Sequence, residues 1–286
     1  MQNNITFDSL FQQAVSSIDT GDEEKLKNLL HDYPELATHR LHNPGKWLTD
    51  VIPDALNDFF KDPYLLWFVA EDAARNGTLP ANISKIAAII IDKAKEQPHN
   101  FQQQIDYTLR LVAWSGVAHQ CGVQPGLLDI LIDAGAATDG VSDDALVNAN
   151  FDAARHLIQR GANLTLATAL CLELWKEADQ LALSATADQK QFALVLAALN
   201  GKAEAVKRAI SFGADINKPS NNLYSHGTPL HHAVWSGSEE TVKLLVEAGA
   251  NLNTKDTAFD GTPLGWAIYG KRKNIKGYLR EIGAKE

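Results

Sequence analysis

The sequence predicts an all-α chain: a solenoid of about eight stacked helix pairs joined by short extended fingers. Three observations carry that expectation. Gly227-Thr-Pro-Leu-His-His-Ala233 recurs 34 residues later as Gly261-Thr-Pro-Leu-Gly-Trp-Ala267. Gly-Ala pairs stand at Gly213, Gly249 and Gly283, spaced 36 and 34 apart, with earlier pairs at Gly135 and Gly161. The apolar residues between these marks group on the faces of two short helices per unit, and a period in the thirties is the mark of a repeat array.

The physics of one unit can be read directly. Thr228 is placed to cap a helix whose first residue is Pro229, where a missing N–H costs nothing. Leu230, Ala233 and Val234 form that helix's apolar face, and Gly237 ends it. Ser238-Glu-Glu240 opens the next helix with carboxylates at the positive end of its dipole. Val242, Leu244, Leu245 and Val246 are its apolar positions, Gly249 supplies a left-handed turn, and Asn251-Leu-Asn253 leads into a finger. Such a unit carries apolar surface on both sides and buries it only by stacking on its neighbours.

These residues resemble ankyrin repeats. The Thr-Pro-Leu-His, Gly and Gly-Ala elements fall in that family's order and spacing across 190–285. The whole chain is also similar to a group of bacterial ankyrin-repeat proteins with no assigned activity. Pro63-Tyr-Leu-Leu-Trp-Phe-Val-Ala70, Leu79-Pro-Ala-Asn-Ile83, Ser225-His-Gly-Thr-Pro-Leu-His231 and Gly261-Thr-Pro-Leu-Gly-Trp-Ala267 carry that likeness. The resemblance implies stacked helix pairs, a curved solenoid and protein recognition; it does not imply an enzyme.

Toward the N-terminus the pattern decays. Residues 188–286 read as regular repeats, 103–187 as degenerate ones and 1–102 as irregular ones, all within a single array over 1–286. Helix pairs are expected at 192–211, 166–185, 143–159, 104–136, 64–97 and 7–31. The pair at 104–136 has a long turn around Val117–Pro125, and the one at 64–97 is split by Asn76-Gly-Thr-Leu-Pro80. Residues 37–62 fit no unit; a short helix at Leu48–Phe60, interrupted by Pro53, is the expectation there. No Gly-rich or Pro-rich linker breaks the chain. The terminal pairs should be polar outside, through Asp8, Gln12 and Gln13 at one end and Lys273, Lys276 and Arg280 at the other.

Composition bounds the function. The chain has 286 residues, 45% hydrophobic and 21% charged, with a net charge of −9. That balance argues against disorder, and an acidic chain is poorly suited to neutralising phosphates, so nucleic acid is not the expected partner. Charge is uneven: residues 1–72 hold thirteen acidic against five basic side chains, and the last twenty hold six basic against two acidic. The basic run Lys271-Arg-Lys-Asn-Ile-Lys276 reads as a solvated cap face. The opening Met1-Gln-Asn-Asn-Ile-Thr-Phe-Asp8 has no basic region followed by an apolar run, so no secretory leader is expected. The apolar stretch Ile86–Ile91 is far too short for a membrane span, and a cytoplasmic monomer is the expected state.

Chemistry finds little purchase. Cys121 and Cys171 have no paired spacing. His226, His231 and His232 crowd together, but adjacent histidines do not share a helix face as an i, i+4 metal pair would. In the ankyrin pattern, the position of His231 bonds neighbouring backbone and fixes the turn. His119-x-Cys121 has no oxyanion-hole signal beside it, and phosphate loops and nucleophile elbows are missing. No catalytic residue, metal or cofactor is expected.

The candidate site is aromatic. The family frame implies that residues following the inner-helix alanines face the groove. That places Trp235 and Ser236 there in one repeat and Tyr269 and Gly270 in the next. Trp114-Ser-Gly116 echoes Trp235-Ser-Gly237, and Trp266 takes the slot of His232. The long finger Asn221-Asn-Leu-Tyr-Ser-His226 adds Tyr224 and His226. Trp114, Tyr224, His226, Trp235, Ser236, Trp266 and Tyr269 are thus the expected protein-binding residues, exposed Trp and Tyr being the side chains that anchor interfaces. Each Trp has an alternative reading as packing between inner helices. The expected function is binding of a protein partner through groove and fingers. The alternative is a small-molecule receptor or enzyme using the irregular N-terminal half, around Trp47, Phe59, Phe60, Tyr64 and Trp67.

Overall fold

A computed structural model describes residues 6–286. The sequence expectation for the start of the chain falls on residues 1–5 and lies outside the described residues. Helices account for the regular structure, and the chain divides into two compact units: Met1–Ala145 with Asp152–Asn163, and Leu146–Phe151 with Leu164–Glu286.

In the first unit, Thr6 caps α1 (Phe7–Thr20) by accepting from the Ser9 amide. Leu10, Phe11, Ala14, Val15 and Ile18 form its buried face at helical spacing, and Gly21 ends it with φ 69°. Asp22 caps α2 (Glu23–Asp32). Residues 37–62 hold two helical turns, α3 (Lys46–Thr49) and α4 (Pro53–Leu56), rather than one interrupted helix. Pro53 can open a helix but cannot continue one, so it starts the second turn. Asp8 anchors this segment by accepting from the Gly45 amide at 2.9 Å and the Trp47 indole at 2.8 Å. It is therefore a half-buried acceptor rather than the free outer carboxylate expected from the sequence.

Leu65–Ala70 forms a 3-10 segment with all six side chains buried. An uninterrupted apolar run has no polar face to present to water, so the segment threads the core. Then come α5 (Ile83–Ala94), α6 (Phe101–Trp114), α7 (Gly116–Gln120), α8 (Gln124–Asp133), α9 (Val141–Val147) and α10 (Phe151–Gln159), the stretch Leu146–Phe151 between the last two belonging to the second unit. Helix α7 occupies the long turn expected at 117–125. Two layers result: α1, the 65–70 segment and α6 pack in one, and α2, α5 and α8 in the other.

The second unit repeats this design more regularly, through α11 (Leu166–Cys171), α12 (Trp175–Ser184), α13 (Ala187–Leu199), α14 (Ala203–Ser211), α15 (Pro229–Ser236), α16 (Glu239–Glu247), α17 (Pro263–Tyr269) and α18 (Lys273–Glu281). Helices α11, α13, α15 and α17 stack in sequence as an inner layer, with α14, α16 and α18 stacked behind. This is the all-α ankyrin-type stacking anticipated from the repeats. Helix α15 begins at Pro229 and stops at Gly237 with φ 84°, Ser238 caps α16, and Gly249 turns at φ 97°. Polar side chains set the spacing of the fingers. Gln191 of α13 donates to the Asp215 carbonyl and accepts from its amide, while Asn217 accepts from the Asn251 amide one repeat on, at 2.8 Å.

Candidate functional site

Construction of the site begins at the Thr-Pro-Leu-His turn. His231 is fully buried, and its Nδ1 accepts from the Thr228 amide at 3.1 Å. Its Nε2 lies 3.0 Å from the Gly261 carbonyl, which can only accept, so this nitrogen carries the proton. One imidazole thus ties the start of α15 to the next finger. Burial pulls its pKa below 6.5, against the opposing pull of the Gly261 carbonyl.

The next finger is organised by Asp256, only 3% exposed. One carboxylate oxygen accepts from the amides of Ala258 at 2.9 Å and Phe259 at 2.7 Å. The other accepts from the Gly261 amide at 3.0 Å and the Trp266 indole at 2.8 Å. Burial pushes this carboxyl up, but the Trp266 bond and the three amides outweigh it and hold the pKa below the ordinary 3.8. Gly261 is required here, since a Cβ would stand 2.9 Å from the carboxylate. The Thr257 amide donates to the His226 carbonyl at 3.0 Å, joining the two fingers.

A chain of rings follows from these anchors. His226 lies 5.7 Å from Trp266, 5.8 Å from Phe259 and 6.2 Å from Tyr224, centroid to centroid. Trp235 meets Trp266 edge-on at 6.2 Å. These side chains surround a cavity of about 680 Å³ within the second unit, closed by His232, Tyr269, Leu199, Val147, Asn148, Gly261 and Gly265. Its rim is unusually apolar for open surface: Tyr269 is 80% exposed, Phe259 76%, Tyr224 48% and Trp235 45%. Arg272 braces the end of α15 by donating to the Trp235 carbonyl at 2.5 Å.

His232 sits in the wall with 2% exposure, and no hydrogen-bond partner reaches its Nε2. Burial, then the neighbouring His231 and His226, pull its pKa down to about 4, against weaker opposing pulls from the Gly227 and Tyr224 backbone. The imidazole is therefore neutral at physiological pH. Among the described residues, no group of three or more His, Cys, Asp or Glu is arranged to hold a metal ion.

Of the seven residues expected from sequence, five line this cavity: Tyr224, His226, Trp235, Trp266 and Tyr269. Ser236 does not; its hydroxyl donates to the Ala233 carbonyl and accepts from the Ser238 amide, finishing α15. Trp114 lies in the first unit with its indole nitrogen buried. Sequence reasoning missed Phe259, although it follows Tyr224 by 35 residues, close to the repeat period. It also missed Asp256, the wall residues Val147 and Asn148, and Leu199, which precedes Trp235 by 36 residues, one repeat step.

The alternative site looks different. Phe60, Tyr64 and Trp67 are buried in a ring cluster with Phe68, and the Arg40 guanidinium lies 4.3 Å from the centre of the Tyr64 ring. These aromatics pack the first unit's core. Among the described residues, no helix is long and apolar enough to cross a membrane.

No match was found among curated proteins. The family model for ankyrin repeats (3 copies) matches residues 145–256, which span α10 to α16 and the start of the finger held by Asp256. The match agrees with the helix-pair stacking and the turn locked by His231, and residues 145–256 are similar to ankyrin repeats.

Proposed function

We propose that this protein is a non-catalytic recognition module that binds a protein partner through the aromatic cavity of its second unit. Ankyrin repeats are in general protein-interaction modules. The observation that carries the reading is the convergence of Tyr224, His226, Trp235, Trp266 and Tyr269 on one cavity whose aromatic rim stands open to solvent. Large rigid rings of this kind supply contact area at little entropic cost. The inner helices α15 and α17 hold the floor in place, and the two fingers present Tyr224 and Phe259. A single array over residues 1–286 is part of the same proposal.

Partner capture from the source cell tests it. Trp235→Ala with Tyr269→Ala should abolish capture while leaving the helical circular-dichroism signal intact, because both side chains are substantially exposed. Leu183→Ala, another exposed apolar position, should capture normally. Equal capture by the double variant would remove the cavity from consideration.

A receptor or enzyme in the N-terminal half has one observation in its favour. Burial raises the Asp72 carboxyl to about 6, the range of a general acid or base. A screen of metabolites by thermal shift on Asp72→Asn and parent protein separates this reading from the first.

A further inference from the structure

The cavity between Trp235 and Tyr269 is large enough to hold a molecule of its own. Its volume of about 680 Å³ lies inside the range of roughly 300–1,000 Å³ that takes drug-sized ligands. None of its twelve lining residues is Asp, Glu, Lys or Arg. Burial keeps His232 neutral, and Asp256, behind Trp266, is already engaged by three amides and an indole. A charge of either sign that left water here would gain no countercharge. A neutral occupant escapes that cost.

The walls set the occupant's shape. Only Val147 and Leu199 line the cavity with aliphatic side chains, against five Trp, Tyr or Phe rings and two imidazoles. Trp235 stands at 80° to Trp266, and Phe259 at 88° to His226, so ring faces and ring edges both border the space. A planar ring meets such walls by offset stacking on one and edge contact on another, which an aliphatic chain does not match. Asn148, Tyr224 and Tyr269 can donate and accept hydrogen bonds without carrying charge. We infer that the cavity is a binding site for a neutral, multi-ring aromatic small molecule. This goes beyond the partner reading and does not depend on it.

Phenyl-naphthylamine, a neutral dye that brightens in apolar surroundings, is the probe. It is titrated into the full chain at about pH 8, where exposed imidazoles are uncharged. The expected result is saturable binding. Trp235→Ala and Tyr269→Ala, both at substantially exposed positions, should each weaken it at least about tenfold while leaving the helical circular-dichroism signal intact. Leu183→Ala protein should bind as the parent does. Anilinonaphthalene sulfonate, the same ring system with a negative charge, should bind at least about tenfold more weakly than the neutral dye. Cyclododecanol, neutral but saturated, should displace the dye poorly. No saturable binding, or binding undiminished in either variant, would overturn the site. Sulfonate binding as tight as that of the neutral dye, or ready displacement by cyclododecanol or tetramethylammonium, would overturn the occupant. No partner is present in the titration, so a failure here leaves capture from the source cell to be judged by its own experiment.

Discussion

At the scale of single residues, the second unit relies on buried groups whose protonation opposes folding. His232 is neutral in the fold with a pKa near 4, against 6.5 when exposed. Its contribution is complete above pH 6.5 and is lost as pH falls toward 4, because the unfolded chain takes the proton first. The loss amounts to about 3 kcal/mol at most. Asp256, held below 3.8, contributes above that pH, and its share disappears only under stronger acid. Urea midpoints measured from pH 7 to 4 should therefore fall in the parent and fall less in His232→Leu; parallel slopes would refute the assignment. In the first unit, Glu71 is buried and accepts from the amides of Arg75, Asn76 and Gly77, while the Arg75 guanidinium bridges it to Asp19. Arg75→Ala should cost about 3 kcal/mol by stranding a buried charge, readable in the same urea experiment.

At the scale of elements, legibility followed the range of the forces involved. Thr228, Pro229, Gly237, Ser238 and Gly249 act within a few residues of themselves, and their sequence signals correspond to the observed helix ends. The irregular block did not yield, because α3 is held by Asp8, 37 residues away from Gly45. Leu65–Ala70 was likewise opaque, since a run that is buried on every side carries no periodicity. The two units share one device that neither local pattern announces. A carboxylate receives a glycine amide and an indole N–H together, Asp8 with Gly45 and Trp47, Asp256 with Gly261 and Trp266. Gly261→Ala should disrupt the second finger, because its Cβ would crowd Asp256 at 2.9 Å and Trp266 at 3.1 Å. A loss of about 1–3 kcal/mol and a shift in Trp266 fluorescence are expected; unchanged stability would show that the finger is not held this way.

At the scale of the whole molecule, repetition explains both the stability and the site. Each inner helix buries its apolar face only against the next, so α11, α13, α15 and α17 form a continuous layer. Consecutive repeats then place equivalent residues side by side, which is how Trp235 and Tyr269, 34 apart in sequence, reach one cavity. The repeat period made that pairing readable in advance. Leu199 was readable by the same rule, since it precedes Trp235 by 36 residues, the spacing of Gly213 and Gly249, whereas Val147 and Asn148 lie outside the regular repeats. The central claim is that a partner covers this rim. Photo-crosslinking tests it most directly: p-benzoyl-phenylalanine placed at Tyr269 or, as a control, at Leu183, in protein exposed to extract of the source cell. The account predicts a discrete adduct from position 269, competed away by excess unmodified protein, with none from 183. Adducts from 183 alone, or partner capture with none at 269, would contradict it.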